Sequence, residues 1–268
     1  MSQPTSHVLP RPGGDLPVLR WHPAGLDTGP AAGVVLVQEI FGVTDYIRAR
    51  AADLARAGYT VDVPVLFFRE SSEPVPEDAP DLLERGLALA AATDWDTAVA
   101  DTRATVARLT RDLAAAGPGS PPVTLLGFCY GGGLAYAAAA ETAETPAPRE
   151  PAAPDPRGPR EPAEHTEPPA SALVSYYGSA LPALTAEPTL RVERPSLHHF
   201  GTADAYVPLE AVRAIRERVT AARAPVEFHL YDGAGHAFDN PIPRFHHARA
   251  SAEAWRRTLV FLDRVRTA

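Results

Sequence analysis

The chain has no lysine, one cysteine, and no methionine beyond the first residue. All 25 residues of the Lys and Arg class are arginine, set against 33 Asp and Glu, for a net charge of −8. With no excess of positive charge, a nucleic-acid-binding surface is not expected, because phosphates need a basic patch to neutralise them. No apolar run approaches the roughly 20 residues needed to span a bilayer, so no membrane contact is expected. Met1 to Pro12 lack the basic and apolar regions of a secretory signal. A single cysteine excludes an internal disulfide, and together with the missing export signal it predicts a cytoplasmic protein. Abundant Arg, Ala, Pro and Gly without Lys reads as a coding bias that implies no mechanism.

The remaining composition is that of a globular protein. Hydrophobic content of 45% and charged content of 22% in 268 residues support one large domain with a substantial core, over about residues 15–265. An apolar run over 34–38 predicts a buried strand, and further strands are expected at 59–65, 122–127, 171–177, 196–200 and 226–231. Helices are expected at 45–56, 80–91, 94–115, 132–141, 208–222 and 245–266, the third opened by Asp94 as an N-cap. Strands alternating with helices of this length call for an α/β fold, a mostly parallel central sheet covered by helices on both faces. Between about residues 142 and 170 the chain is Pro, Glu, Ala and Arg with almost no large apolar side chain. Such a segment cannot bury enough surface to offset its ordering entropy, which predicts a disordered insertion. It reads as a neutral loop expansion, with docking of a partner as an extended polyproline helix the alternative.

The lone cysteine lies in Val123-Thr124-Leu125-Leu126-Gly127-Phe128-Cys129-Tyr130-Gly131-Gly132. An apolar strand pattern ends at Gly-x-Cys-x-Gly, and an Ala-rich helical pattern follows. That is the layout of a nucleophile elbow, with cysteine where serine usually stands. The turn is tight, so the positions two before and two after the nucleophile must carry almost no side chain, and Gly127 and Gly131 meet that demand. The plain alternative is a small buried hydrophobe, which is what an isolated cysteine usually is.

A nucleophile of this kind needs a base and an orienting acid, which in this architecture follow it in the order acid, then base. Asp204, in Gly201-Thr202-Ala203-Asp204, follows one predicted strand; His236, in Gly235-His236-Ala237-Phe238, follows the last. Both loops lie at strand C-termini, the sheet edge that carries Cys129 and where such folds bind ligands. Asp232 is the rival acid, but it precedes the histidine too closely to reach around the ring. His198 and His199 fall within a strand, where packing is the default. His246 and His247 are adjacent at a helix start and lack the spacing that puts two imidazoles on one face, so no metal site is expected.

Together with Gln38-Glu39-Ile40-Phe41-Gly42-Val43 and Tyr176-Tyr177-Gly178, these motifs resemble the dienelactone hydrolase family of the α/β-hydrolases. The resemblance implies an α/β-hydrolase fold and a Cys129–His236–Asp204 triad, with no cofactor. The implied reaction opens an enol-lactone or activated ester through an acyl-thiol intermediate. It implies that Glu39 holds the resting thiol and takes its proton once substrate displaces it. That is sensible chemistry, since an ordinary thiol has a pKa of about 8.5 and forms thiolate only beside a base. It further implies an oxyanion hole from the backbone N–H groups of Ile40 and Tyr130, each donor worth roughly 3 kcal/mol.

The family pattern binds a substrate carboxylate with two arginines. Arg85 is the match for one, while Asn240 stands at the position of the other, preceded by Asp239. Asn240 carries no charge and Asp239 would repel an anion, so a neutral substrate is the expected preference. Ala237 also replaces a serine of the prototype. The alternatives are therefore a general small-ester or thioester hydrolase, or a redox-responsive protein in which Cys129 meets oxidants.

Overall fold

A computed structural model describes residues 3–23, 31–71, 73–117, 119–142 and 169–268. Most of the predicted Pro-rich insertion, residues 143–168, lies outside the described residues.

Two N-terminal strands, β1 (Thr5–Arg11) and β2 (Gly14–Trp21), form a hairpin that the sequence reading missed. The parallel unit then begins with β3 (Gly33–Val37), α1 (Asp45–Arg56) and β4 (Thr60–Pro64). Helices α2 (Leu82–Ala92) and α3 (Trp95–Ala116) lead to β5 (Val123–Phe128) and α4 (Tyr130–Ala139). A two-residue strand β6 (Glu141–Thr142) follows, then β7 (Ala172–Tyr176), α5 (Leu181–Ala186) and its short partner β8 (Leu190–Arg191). Strand β9 (Ser196–Gly201), α6 (Leu209–Thr220), β10 (Val226–Tyr231) and α7 (Ala248–Thr267) complete the chain.

The main sheet runs β1-β2-β4-β3-β5-β7-β9-β10, antiparallel at the β1, β2 and β4 end and parallel from β4 onward. Every residue of β3, β5, β7 and β9 is buried, the signature of strands covered on both faces. Helices α3, α4, α5 and α6 pack against one another in series. Helices α1 and α7 meet elsewhere, where the Arg50 guanidinium lies 4.3 Å from the Trp255 ring centroid. Asp94 caps α3 as expected, its Oδ1 accepting from the Thr97 N–H at 2.8 Å. Among the described residues no helix is long and apolar enough to cross a membrane.

Five neighbouring parallel strands position the site. In sheet order, β3, β5, β7, β9 and β10 are followed by Glu39, Cys129, Tyr177, Asp204 and His236. Residues distant in sequence therefore converge at one edge, as the strand directions dictate.

Candidate active site

Cys129 is the single residue between the end of β5 and the start of α4, with φ 54° and ψ −115°. This is a left-handed conformation that non-glycine residues adopt only where the surroundings impose it. The surroundings here are backbone. A Cβ on Gly127 would overlap the carbonyl oxygen of Gly131, and one on Gly131 would overlap that of Gln38. The two glycines are thus a steric condition of the bend.

The Cys129 Sγ lies 3.0 Å from His236 Nε2, and His236 Nδ1 lies 2.8 Å from Asp204 Oδ2. The other Asp204 oxygen accepts from the backbone N–H groups of Tyr206 and Val207 at 2.8 and 2.9 Å. With that carboxylate fixed as an acceptor, Nδ1 carries a hydrogen and Nε2 faces the sulfur. Burial disfavours the imidazolium, but the Cys129 sulfur and Asp204 carboxylate outweigh it and push the His236 pKa up to about 10. Asp232 is engaged elsewhere, its Oδ1 accepting from the Thr202 hydroxyl at 3.2 Å.

Glu39 is 1% exposed. Its Oε2 accepts from Asn240 Nδ2 at 2.7 Å, and its Oε1 from the Tyr177 hydroxyl at 3.4 Å. Burial raises its pKa to about 7, opposed by the Asn240 hydrogen bond and the nearby His236. The thiol thus faces the imidazole while Glu39 faces Asn240 and Tyr177. That differs from the resting Cys129–Glu39 contact the resemblance implies.

Cys129, Glu39, Ile40 and His236 line a cavity of about 440 Å³, the size of a drug-like ligand site. Tyr130 is the first residue of α4, so its N–H has no partner within the helix. Ile40 lies in a tight turn closed by the Gly42 N–H to the Glu39 carbonyl at 3.2 Å.

The two expected substrate-binding side chains are placed differently. Leu83 and Leu87 of α2 line the cavity, but Arg85 does not. Positions two apart on a helix face different ways, and Arg85 is half-exposed with Asp81 at 3.9 Å. Asn240 is buried, its Oδ1 accepting from the Ile242 N–H at 3.0 Å and its Nδ2 committed to Glu39. It holds Glu39 and does not line the cavity.

The repulsion assigned to Asp239 is also corrected. That carboxylate is buried and receives Arg50 Nε and Nη2 at 2.8 and 2.6 Å, Tyr46 Oη at 2.7 Å and Ser251 Oγ at 2.7 Å. Its charge is answered from every side.

Sequence reading missed Arg244, which lines the cavity beside Phe245, His246 and His247. Its guanidinium stacks 4.9 Å from the Phe245 ring centroid and has no carboxylate partner among the described residues. No motif signals it, because it stands eight positions past His236 in an irregular loop. His198 and His199 are core residues. The first meets Ser196 Oγ at 3.2 Å, the second Tyr231 Oη at 2.8 Å and Thr258 Oγ1 at 3.1 Å. Among the described residues no three His, Cys, Asp or Glu side chains cluster as metal ligands would.

A parallel sheet with helices on both faces and a tight strand-to-helix bend at Cys129 on its C-terminal edge define an α/β-hydrolase fold. Comparison with known proteins agrees. Solved structures of a dienelactone hydrolase-like promiscuous phosphotriesterase from metagenomic libraries and of Thermogutta terrifontis esterase 2 superpose with TM-scores of 0.66 and 0.60. They cover 98% of this chain in both cases, and 99% and 93% of their own chains, at 19% and 18% identity. The carboxymethylenebutenolidase of Rhodococcus opacus is 31% identical over 268 residues, spanning 96% of this chain and 89% of its own length. That of a Pseudomonas species is 31% identical over 235 residues, spanning 87% and 84%. The profile of the dienelactone hydrolase family matches residues 21–148 and 162–266. The chain belongs to the dienelactone hydrolase family and is a carboxylic ester hydrolase.

Proposed function

We propose that this hydrolase opens an enol-lactone or cleaves a small activated ester through an acyl-thiol on Cys129. The observation that carries the reading is the line Cys129 Sγ–His236 Nε2–Asp204 Oδ2, at 3.0 and 2.8 Å, at the wall of the cavity. Once bound substrate has displaced the thiol from its resting contact with the imidazole, its proton passes to Glu39: the S–H bond breaks and a carboxyl O–H bond forms. Sulfur attacks the carbonyl carbon, and the developing oxyanion takes hydrogen bonds from the N–H groups of Ile40 and Tyr130. His236, as imidazolium, protonates the departing alkoxide and leaves an acyl-thiol. The neutral imidazole then takes a proton from water, whose oxygen attacks the acyl carbon. Collapse releases the acid and the thiolate, to which Glu39 returns its proton. Asp204 keeps the ring aligned throughout.

For the substrate, Arg244 at the cavity wall supports an anionic group, against the neutral preference expected from Asn240. A redox-responsive role for Cys129 would need neither Asp204 nor His236, both of which are hydrogen-bonded into the site.

Turnover of a chromogenic short-chain ester and of a dienelactone by Cys129→Ala tests the reaction. Loss of both with an unchanged unfolding midpoint is expected, and retained turnover would overturn it. Cys129→Ser is expected to be poorly active, since Glu39 and His236 serve a thiol and an alcohol holds its proton far more tightly.

A further inference from the structure

Tyr177 sits at φ 37°, a left-handed conformation imposed on a bulky side chain directly after β7. That backbone sends its hydroxyl into a buried chain of oxygens. The Tyr177 oxygen lies 3.4 Å from Glu39 Oε1 and 3.4 Å from the Tyr46 oxygen. A phenol has one hydrogen to donate. Burial holds both phenols well above their ordinary pKa, so each keeps that hydrogen.

The hydrogen of Tyr46 is already assigned. Its hydroxyl donates to Asp239 Oδ2 at 2.7 Å, and Asp239, gripped by Arg50 and Ser251, can only accept. Tyr46 therefore presents a lone pair to Tyr177. The Tyr177 hydrogen has two acceptors, Tyr46 and Glu39, and can satisfy only one at a time.

Glu39 has the complementary problem. As a carboxylate it needs donors, and Asn240 and Tyr177 supply them. As a carboxylic acid it needs an acceptor for its own hydrogen. Asn240 cannot provide one, because its Oδ1 is held by the Ile242 N–H and its Nδ2 faces Glu39. An unmet buried donor would cost about 1–3 kcal/mol. The Tyr177 oxygen can accept, provided its own hydrogen turns to Tyr46.

We infer that Tyr177 is a positioning residue whose hydroxyl reverses with the protonation of Glu39. Its hydrogen points to the Glu39 carboxylate, and it turns to Tyr46 when Glu39 gains a proton, which then donates to the Tyr177 oxygen. No proton crosses Tyr177; one O–H bond rotates. The switch gives Glu39 a partner in both states it passes through, and its use in turnover rests on the proposed reaction. The charged and titratable groups around Glu39 are His236 beyond β10, Cys129 beyond β5, Tyr177 beyond β7 and, farther back, Asp239 with Arg50 and Tyr46 of α1.

The test follows the Glu39 carboxyl carbon by nuclear magnetic resonance in protein labelled at glutamate side-chain carboxyls, with Glu39→Gln for assignment. Tyr177→Phe removes both the donor to the carboxylate and the acceptor for the acid, and because the bond to the charged state is the stronger of the two the titration midpoint is expected to move up. Tyr46→Phe removes the acceptor that the protonated state relies on and is expected to move it down. Each shift is expected to be about half a pH unit or more. A fixed hydrogen bond from Tyr177 to Glu39 would leave the Tyr46→Phe midpoint unmoved or raised, and either result overturns the switch.

Neutron diffraction of the unaltered protein at pH 5 and pH 9 reads the same device without a variant. The Tyr177 deuterium is expected toward Tyr46 at the lower pH and toward Glu39 at the higher, and one position at both overturns it. Opposite midpoint shifts, with the acidic limb of kcat/KM unaffected by Glu39→Gln, would sustain the switch and refute Glu39 as the thiol's proton acceptor. Absent shifts with that limb abolished by Glu39→Gln would do the reverse.

Discussion

Asn240 and Glu39, 201 positions apart, are joined by a 2.7 Å hydrogen bond from the amide Nδ2 to the carboxylate Oε2. Both side chains are buried, so this bond bears directly on which ionisation state Glu39 prefers. The backbone of Asn240 is fixed by its own N–H, which donates to the Ala237 carbonyl at 2.9 Å.

Asn240→Leu removes a donor to a charged acceptor while leaving the carboxylate buried. Such bonds are worth about 1.5–3 kcal/mol, or roughly one to two pH units. The Glu39 pKa, already raised to about 7, is expected to rise further. The acidic limb of the kcat/KM profile should move up by about one pH unit or more, with activity near pH 6 falling about tenfold and activity near pH 9 falling much less.

Glu39→Gln is expected to stabilise the fold while impairing turnover. The folded-state pKa of about 7 lies above the ordinary 4.5, so folding binds a proton to Glu39 between those values. The resulting sign is that stability from this group is present below pH 4.5 and is lost as pH rises through 7. The loss is on the order of 3 kcal/mol. Thermal unfolding should show Glu39→Gln gaining over the natural protein at pH 8 and little difference near pH 4.

Asp239→Ala leaves the Arg50 guanidinium without the carboxylate that receives it at 2.6 and 2.8 Å. Breaking a buried pair on one side costs about 3–5 kcal/mol. A urea unfolding midpoint should fall accordingly. Arg50→Leu combined with Asp239→Leu should fall by less than the sum of the two single changes, because no lone charge remains.

Arg244→Gln removes the arginine at the cavity wall that has no carboxylate partner among the described residues. If it pairs with an anionic substrate group, kcat/KM for a carboxylate-bearing lactone should drop about tenfold or more. A neutral ester of similar size should change little. Equal losses for both substrates would refute a charge-reading role.

The parallel core was legible, and so was the meeting of Cys129, His236 and Asp204 at one sheet edge, because each rests on a local rule. Buried parallel strands read as apolar runs, and the elbow demands glycine two positions on either side of Cys129. The β1–β2 hairpin was not legible, since Pro10 and Pro17 interrupt its alternation although Leu9 and Leu16 pair within it. Arg85 was misplaced because matching a motif does not say which face of α2 points inward, and Leu83 and Leu87 claim that face. The roles of Asn240, Asp239 and Tyr177 depend on contacts made over long sequence separations, with Arg50, Tyr46 and Glu39. No periodicity encodes such contacts. Arg244 belongs to the same class, a loop residue whose direction is set by how the chain returns to α7.

Cys129 is the chain's only sulfhydryl, and it stands where the reaction is proposed to occur. A thiol-directed reagent therefore has one address per polypeptide. The moles of label incorporated count competent molecules in a preparation without reference to any substrate, and protection against labelling turns the same measurement into a binding assay for compounds that are never turned over.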